Sequence, residues 1–419
     1  MNIIIYYEHL VREWNASNEL KKVLEADGHR VKIFSIIFQR TKANLYARRH
    51  KPDIVFVPWF VDEEHEGTLS TIIRLNPKVK IINLHQEQIG SPDSEVDMYP
   101  KTAYTSNGSY HFAWGEYFKR KLMERGVDED KIFVTGSIRN DSSLKGNCDR
   151  NEIAKEFGLD PNKKWVLFAE NRGWMNQRNT EATKRLLLSR GISEEYIEES
   201  IKRSQDGMDE LIAQMRALDD SFAKEFEFIY RPHPGTVFSE SVPDCVHVIT
   251  TRSIYDWIHC CDLFLTCEST SIFEAEMCGK PCATLGAEGI PERSQMAGIQ
   301  KYPKIKSLSE ISDQLIEELN RQRQERGVLY EEFFAKVDGN AAKRTAEACY
   351  QVAQMDIDPI PEYYTATAYQ NFRQFAYEAV LWLVVHLGLF EALKIPKSAY
   401  PEKRDIPYYS QNKWIWENK

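Results

Sequence analysis

The run Asn2-Ile3-Ile4-Ile5-Tyr6-Tyr7 decides the fold: it is apolar and rich in β-branched and aromatic side chains, which marks a buried strand. Residues 17–26 carry helical periodicity with Ser17 as a candidate cap, Asp27-Gly28 closes that helix, and residues 31–37 supply the next strand. The same alternation recurs at 53–58, 79–84, 111–114 and 131–135. Apolar strands separated by helices pair in parallel, because right-handed crossovers lay the helices over both sheet faces. A doubly wound α/β domain is expected.

At 419 residues the chain exceeds what one core serves. A polar stretch at 139–150 interrupts the pattern, which restarts with strands at 165–169, 226–230, 246–250, 262–266 and 281–285. The sequence therefore predicts an N-terminal domain over 1–145 and a second doubly wound domain over 146–355, with a polar helical insertion at about 173–224. Residues 356–419 form a helical tail dense in Tyr, Phe and Trp. Two destinations suit such a tail: packing back across the first domain, or a peripheral membrane contact through its aromatic, Lys/Arg-bearing end.

The net charge of -9 argues against a sequence-independent nucleic-acid binder, whose affinity comes from neutralising phosphates. Eight cysteines, none at zinc-site spacing, read as buried thiols of a reducing compartment. Neither a basic leader nor a long uncharged apolar stretch is present in the sequence. The expected location is cytoplasmic, at the inner face of the membrane if the tail meets lipid.

Chemistry is expected beyond the carboxyl ends of the strands. The strand at 226–230 runs into Arg231-Pro232-His233-Pro234-Gly235, where two prolines stiffen a turn that carries a permanent cation and a ring donor, a combination suited to phosphate. The strand at 262–266 leads into Ser269-Thr270-Ser271 and then Phe273-Glu274-Ala275, hydroxyls and amides at a strand-to-helix junction with Glu274 in reach of ribose hydroxyls. Simple helix capping is the plain alternative for the triplet, and a stiffened surface turn the alternative for the first motif. Glu170-Asn171-Arg172 follows the strand at 165–169, and Arg172 and Arg139 could each relieve charge on a leaving phosphate. Glu87 follows a first-domain strand and is the first candidate for a general base; Asp141 is the second.

These segments resemble the donor half of GT-B glycosyltransferases, in particular bacterial capsule and O-antigen (lipopolysaccharide) biosynthesis proteins with the related Kdo and sialic acid transferases. Tyr230-Arg231-Pro232-His233-Pro234 looks like their His-Pro motif, Ser269-Thr270-Ser271 with Phe273-Glu274-Ala275 like their Ser/Thr motif, and Gly136-Ser137-Ile138-Arg139-Asn140-Asp141 like the segment leaving their N-terminal domain. The resemblance implies a GT-B fold, two Rossmann-like domains facing a central cleft. It also implies transfer of a sugar from a nucleotide donor, most often CMP-activated, to a saccharide or lipid-linked acceptor in cell-surface polysaccharide biosynthesis. Arg231, His233, Pro234, Ser269, Thr270 and Ser271 would then hold the nucleotide. Teichoic-acid glycerophosphotransferases share similar motifs, a sugar-nucleotide epimerase or hydrolase can use the same plan, and a non-catalytic scaffold would keep the fold alone. Asp128-Glu129-Asp130 and Asp356-Ile357-Asp358 lie away from where a metal-dependent transferase needs such triplets, and the run at 62–66 reads as a solvated loop. No metal and no cofactor beyond the nucleotide-sugar co-substrate is expected.

Overall fold

The computed structural model describes residues 1–419 except 94, 96–97, 145–147, 172–183, 186, 189–190, 234–237, 287–289, 357–360 and 388–419. Two compact units emerge: Met1–Lys145 together with Glu331–Lys419, and Gly146–Tyr330.

In the first unit, β1 (Asn2–Tyr7), β2 (Arg30–Ser35), β3 (Ile54–Val57), β4 (Lys80–Asn83), β5 (Tyr110–Ala113) and β6 (Ile132–Val134) form a parallel sheet in the order β2-β1-β3-β4-β5-β6. The helices are α1 (Leu10–Ala26), α2 (Arg40–His50), α3 (Glu63–Leu75), α4 (Ala103–Asn107), α5 (Glu116–Glu124) and α6 (Ile138–Ser143). Ile3, Ile5 and Phe56 join one apolar cluster while Ile4, Tyr6 and Val55 join another, as alternation along a strand covered on both faces requires. Two expectations fail locally. α1 starts at Leu10 and buries Ser17 instead of being capped by it, because Trp14 packs edge-on against Tyr7 at 5.5 Å and draws the preceding turn into the helix. The acidic run at 62–66 is the start of α3: Asp62 accepts the amides of Glu64 and His65, and buried Glu66 accepts from the Thr102 hydroxyl.

The second unit holds α7 (Arg150–Phe157), β7 (Lys164–Ala169), α8 (Glu194–Arg216), α9 (Asp220–Glu225), β8 (Phe226–Arg231), β9 (Val246–Val248), α10 (Ile254–Cys260), β10 (Leu263–Thr266), α11 (Ser271–Met277), β11 (Cys282–Leu285), β12 (Lys304–Ile305) and α12 (Asp313–Arg326). Its parallel sheet runs β12-β11-β10-β7-β8-β9. The two-residue strand β12 was not legible in the sequence.

After Tyr330 the chain rejoins the first unit. α13 (Ala341–Gln354), which its position after α12 assigns to the second domain at the sequence level, instead packs Ala346, Cys349 and Val352 against Ile3, Leu20 and Leu24. Lys80 Nζ donates to the Val352 carbonyl at 2.5 Å, and the Tyr350 hydroxyl donates to Asp27 Oδ2 at 2.6 Å. An apolar stripe states that a face is covered but not by which sheet, so the boundary at 355 could not be read correctly. Beyond it, the Tyr364 amide donates to Glu66 at 2.6 Å and the Ala366 amide to Ser70 at 3.2 Å, which lays this segment along α3. α14 (Ala368–Leu387) follows.

Two histidines are sealed into the first unit. His85 Nε2 lies 2.9 Å from His111 Nδ1, and His111 Nε2 lies 2.7 Å from the Ser106 carbonyl. That carbonyl only accepts, so His111 carries its proton on Nε2, and its bare Nδ1 accepts a hydrogen bond from His85 Nε2–H. Burial holds both rings neutral: His85 well below its ordinary pKa, with the His111 charge adding to the effect, and His111 down to about 4 from 6.5. In the unfolded chain both titrate near 6.5, so protons bind the unfolded state first and stability falls as pH drops from there towards 4. For His111 alone the loss is roughly 3 kcal/mol over that window. Thermal melts from pH 7.5 to 4.5 should show this slope, and His85→Asn, which tolerates the left-handed φ of 45° at this position, should flatten part of it.

Candidate functional site

An open parallel sheet binds ligands beyond its carboxyl edge, where strand order reverses. In the second unit the reversal falls between β7 and β10, with β8 and β9 on one side and β11 and β12 on the other. Past β7 come Glu170 and Asn171; past β10 come Cys267, Glu268 and the hydroxyl triplet. The two loops are tied together. Thr266 Oγ1 donates to the Ala169 carbonyl at 2.7 Å and accepts the Ser269 amide at 3.1 Å, while Asn171 Oδ1 accepts the Glu268 amide at 3.3 Å. The hydroxyls of Ser269 and Ser271 stand 2.7 Å apart, and Thr270 occupies the helix cap with no capping bond from its side chain.

Ala169 pairs with Arg231, and the Glu170 amide donates to the Arg231 carbonyl at 2.9 Å, so the turn through His233 leaves the same edge one strand away. Arg231 itself does not face outward as a phosphate ligand. Its guanidinium is buried and donates to the carbonyls of Thr251 at 2.6 Å and Arg252 at 3.0 Å, with burial lowering its pKa to about 10 against the opposing pull of Asp256. The side chain braces the loop before α10, where Arg252 adopts a left-handed φ of 60°. His233 is half-buried at the edge. Glu274, expected near a ribose, is buried in α11 and accepts from the Tyr255 hydroxyl at 3.2 Å. Arg172 and Pro234 lie outside the described residues.

At this edge a solvent-open depression of about 320 Å³ is lined by Phe168, Glu170, Cys267, Leu285 and Gly286, with Gly207, Glu210, Leu211 and Gln214 of α8 as its far wall. α8 belongs to the insertion expected at 173–224, and Met208, Leu211 and Met215 anchor it in the core. α8 is thus a packed wall of this depression. Glu210 and Gln214 were missed from the sequence because helical periodicity reveals a polar face without its direction.

The first unit has its own depression of about 420 Å³ beyond β4, β5 and β6, lined by Ser17, Gln86, Trp114, Ser137 and Arg139 among others. The Arg139 guanidinium lies 5.7 Å from the Trp114 ring centroid. Glu87, the leading candidate base, is half-exposed and engaged by Arg12. Asp141, the second candidate base, is 4 % exposed, and its oxygens accept the Asp338 amide at 2.9 Å and the Ala341 amide at 2.6 Å, capping α13, with Arg344 at 3.7 Å. A carboxyl the motifs do not single out, Glu13, lies beyond β1, buried at 1 % exposure and accepting the Glu8 amide at 2.8 Å. Burial pushes its pKa up to about 7, partly offset by that amide and by Arg12. An acid set between Leu10 and Trp14 just after the first strand was the available signal.

No family model matches the chain. A UDP-N,N'-diacetylbacillosamine 2-epimerase (hydrolyzing) from Legionella pneumophila is 23 % identical over 153 residues, 36 % of this chain and 37 % of the relative. The match thus spans little more than a third of that enzyme's length. Among solved structures, a Listeria monocytogenes protein assigned as a UDP-N-acetylglucosamine 2-epimerase aligns with a TM-score of 0.52 at 15 % identity, over 85 % of this chain and 98 % of its own. The fold is GT-B. A Neisseria meningitidis UDP-GlcNAc 2-epimerase bound to UDP-GlcNAc agrees, with a TM-score of 0.51 at 16 % identity over 84 % of this chain and all of its own. These proteins carry UDP-sugar epimerisation in their names, not the CMP-sugar transfer implied by the GT-B motifs.

Asp141→Asn should destabilise the protein by about 1–3 kcal/mol, because the amide nitrogen cannot accept a buried backbone N–H. Calorimetry checks this; a catalytic role without a structural one would leave the melting temperature unchanged.

Proposed function

We propose that the chain is a nucleotide-sugar 2-epimerase of the hydrolysing kind, acting on a UDP-activated amino sugar. The observation that carries this reading is the sequence match to the Legionella enzyme, and the GT-B neighbours are compatible with it. The second unit's carboxyl edge supports the nucleotide half: Ser269, Thr270 and Ser271 follow β10 and His233 follows β8, on either side of β7 at the same edge, and hydroxyls with a ring donor suit a diphosphate.

The chemistry sets what the protein must supply. The hydrogen on C2 of a hexose has no neighbouring carbonyl, so inversion there needs the C1–O bond to break. A base takes the C2 proton, the electrons of that C–H bond form a C1–C2 double bond, and the diphosphate leaves with the C1–O pair. Water then adds hydroxyl to C1 and a proton to C2 on the opposite face. One water is consumed, and the nucleoside diphosphate and the 2-epimeric free sugar are released. Hydrogen-bond donors at the diphosphate stabilise the charge that grows as it departs.

A donor-only reaction in D₂O separates this from glycosyl transfer, which the Arg-Pro-His-Pro and Ser-Thr-Ser motifs suggest. UDP-GlcNAc and UDP-diacetylbacillosamine are incubated without acceptor and followed by NMR. Release of UDP with a free 2-epimer deuterated at C2 is expected, and His233→Ala should weaken UDP binding about tenfold or more. Donors that stay intact until a saccharide acceptor is added would return the chain to the transferases.

A further inference from the structure

α14 is mounted with its polar side inward. Gln374 Nε2 donates to the Ile37 carbonyl at 3.1 Å, and Glu378 accepts the Thr41 amide at 3.1 Å from each oxygen while bonding Gln374 at 2.9 Å. Thr41 opens α2, so the carboxylate sits against free amides at a helix start, with Arg40 beside it. These bonds fix the rotation of α14 about its axis. They turn Tyr369, Phe372, Phe375, Tyr377, Trp382 and Leu383 to solvent, with Tyr369 73 % and Phe372 65 % exposed. At about 3.6 residues per turn those positions sweep roughly 220° of the helix circumference. A soluble surface helix does the reverse, hiding an apolar stripe and showing its polar face.

We propose that this face of α14 lies on an anionic lipid surface. One packed neighbour covers a stripe of about 100°, so the exposed arc is too wide for a single partner helix, whereas an interfacial bed receives all of it. The residue types fit that depth: Tyr and Trp carry a polar atom on an apolar ring, and Arg373 lies within the face with a stem long enough to reach headgroups. Charge points the same way. The helix it packs against, α2, carries Arg40, Lys42, Arg48 and Arg49 and no acid, in a chain whose net charge is -9, so positive charge lies beside this face. No helix among the described residues is long and apolar enough to cross a membrane, so α14 would lie on the surface. This inference is independent of the proposed reaction.

The test is co-sedimentation of the full chain with vesicles, with no nucleotide present. Binding is expected with phosphatidylcholine–phosphatidylglycerol vesicles, weaker with phosphatidylcholine alone, and reduced by salt. The exposed-site triple variant Phe372→Ser, Trp382→Ser, Leu383→Ser should lower partitioning more than about tenfold. Its circular-dichroism melt should match the parent, since none of the three is buried. Wild-type binding by the triple variant, or no binding to either vesicle, overturns the proposal. So does a dimer that the three substitutions dissolve without any vesicle binding, which would give the face to a second copy of the chain.

Discussion

β7 is hydrogen-bonded to β8 along one side, from Lys164–Phe226 to Ala169–Arg231, and to β10 along the other, from Leu263–Val166 to Thr266–Ala169. Because all three run the same way, their carboxyl ends stop at one level, and three loops distant in sequence must emerge side by side. The Thr266 hydroxyl on the Ala169 carbonyl locks the last step of that register. A slip of one residue would send every side chain of β7 to the opposite face and separate Asn171 from Glu268. The candidate nucleotide edge therefore exists only through the pairing of this central strand.

Within that frame several charged groups act as braces. Arg231, Asp141 and Glu274 all attract notice in the sequence, and all three spend their polar atoms on the protein: carbonyls before α10, the amides that start α13, the hydroxyl of Tyr255. His233, Thr270, Glu210 and Gln214 stand at the second unit's carboxyl edge or in the wall beside it. A motif match reports where an ion belongs in the chain, not which way its side chain turns. Arg231 makes the point well, since a cation beside a proline-stiffened turn can serve either a ligand or the turn itself.

Strand positions were legible because buried parallel strands write continuous apolar runs, and every strand read from the sequence is present within a few residues. Among the described residues only β12, two residues long, left no such run. The start of α1 was hidden because Glu13 and Asn15 look like loop residues until Glu13 is found buried. The motif loops at the second unit's edge were legible as turn chemistry. The wall supplied by α8 and the return of α13 were not, for both depend on where an amphipathic helix lands, and periodicity is silent about its partner.

The placement of α13 has a consequence for how the chain is made. The first sheet emerges early from a ribosome, yet one of its faces is covered by Ala346, Cys349 and Val352, which are synthesised only after the whole second unit. Until then Leu20, Leu24 and their neighbours lack that lid, and the nascent N-terminal half is a sticky, incomplete body. The second unit, uninterrupted from Gly146 to Tyr330, can close on itself first. Maturation thus ends at the part of the molecule that was translated first.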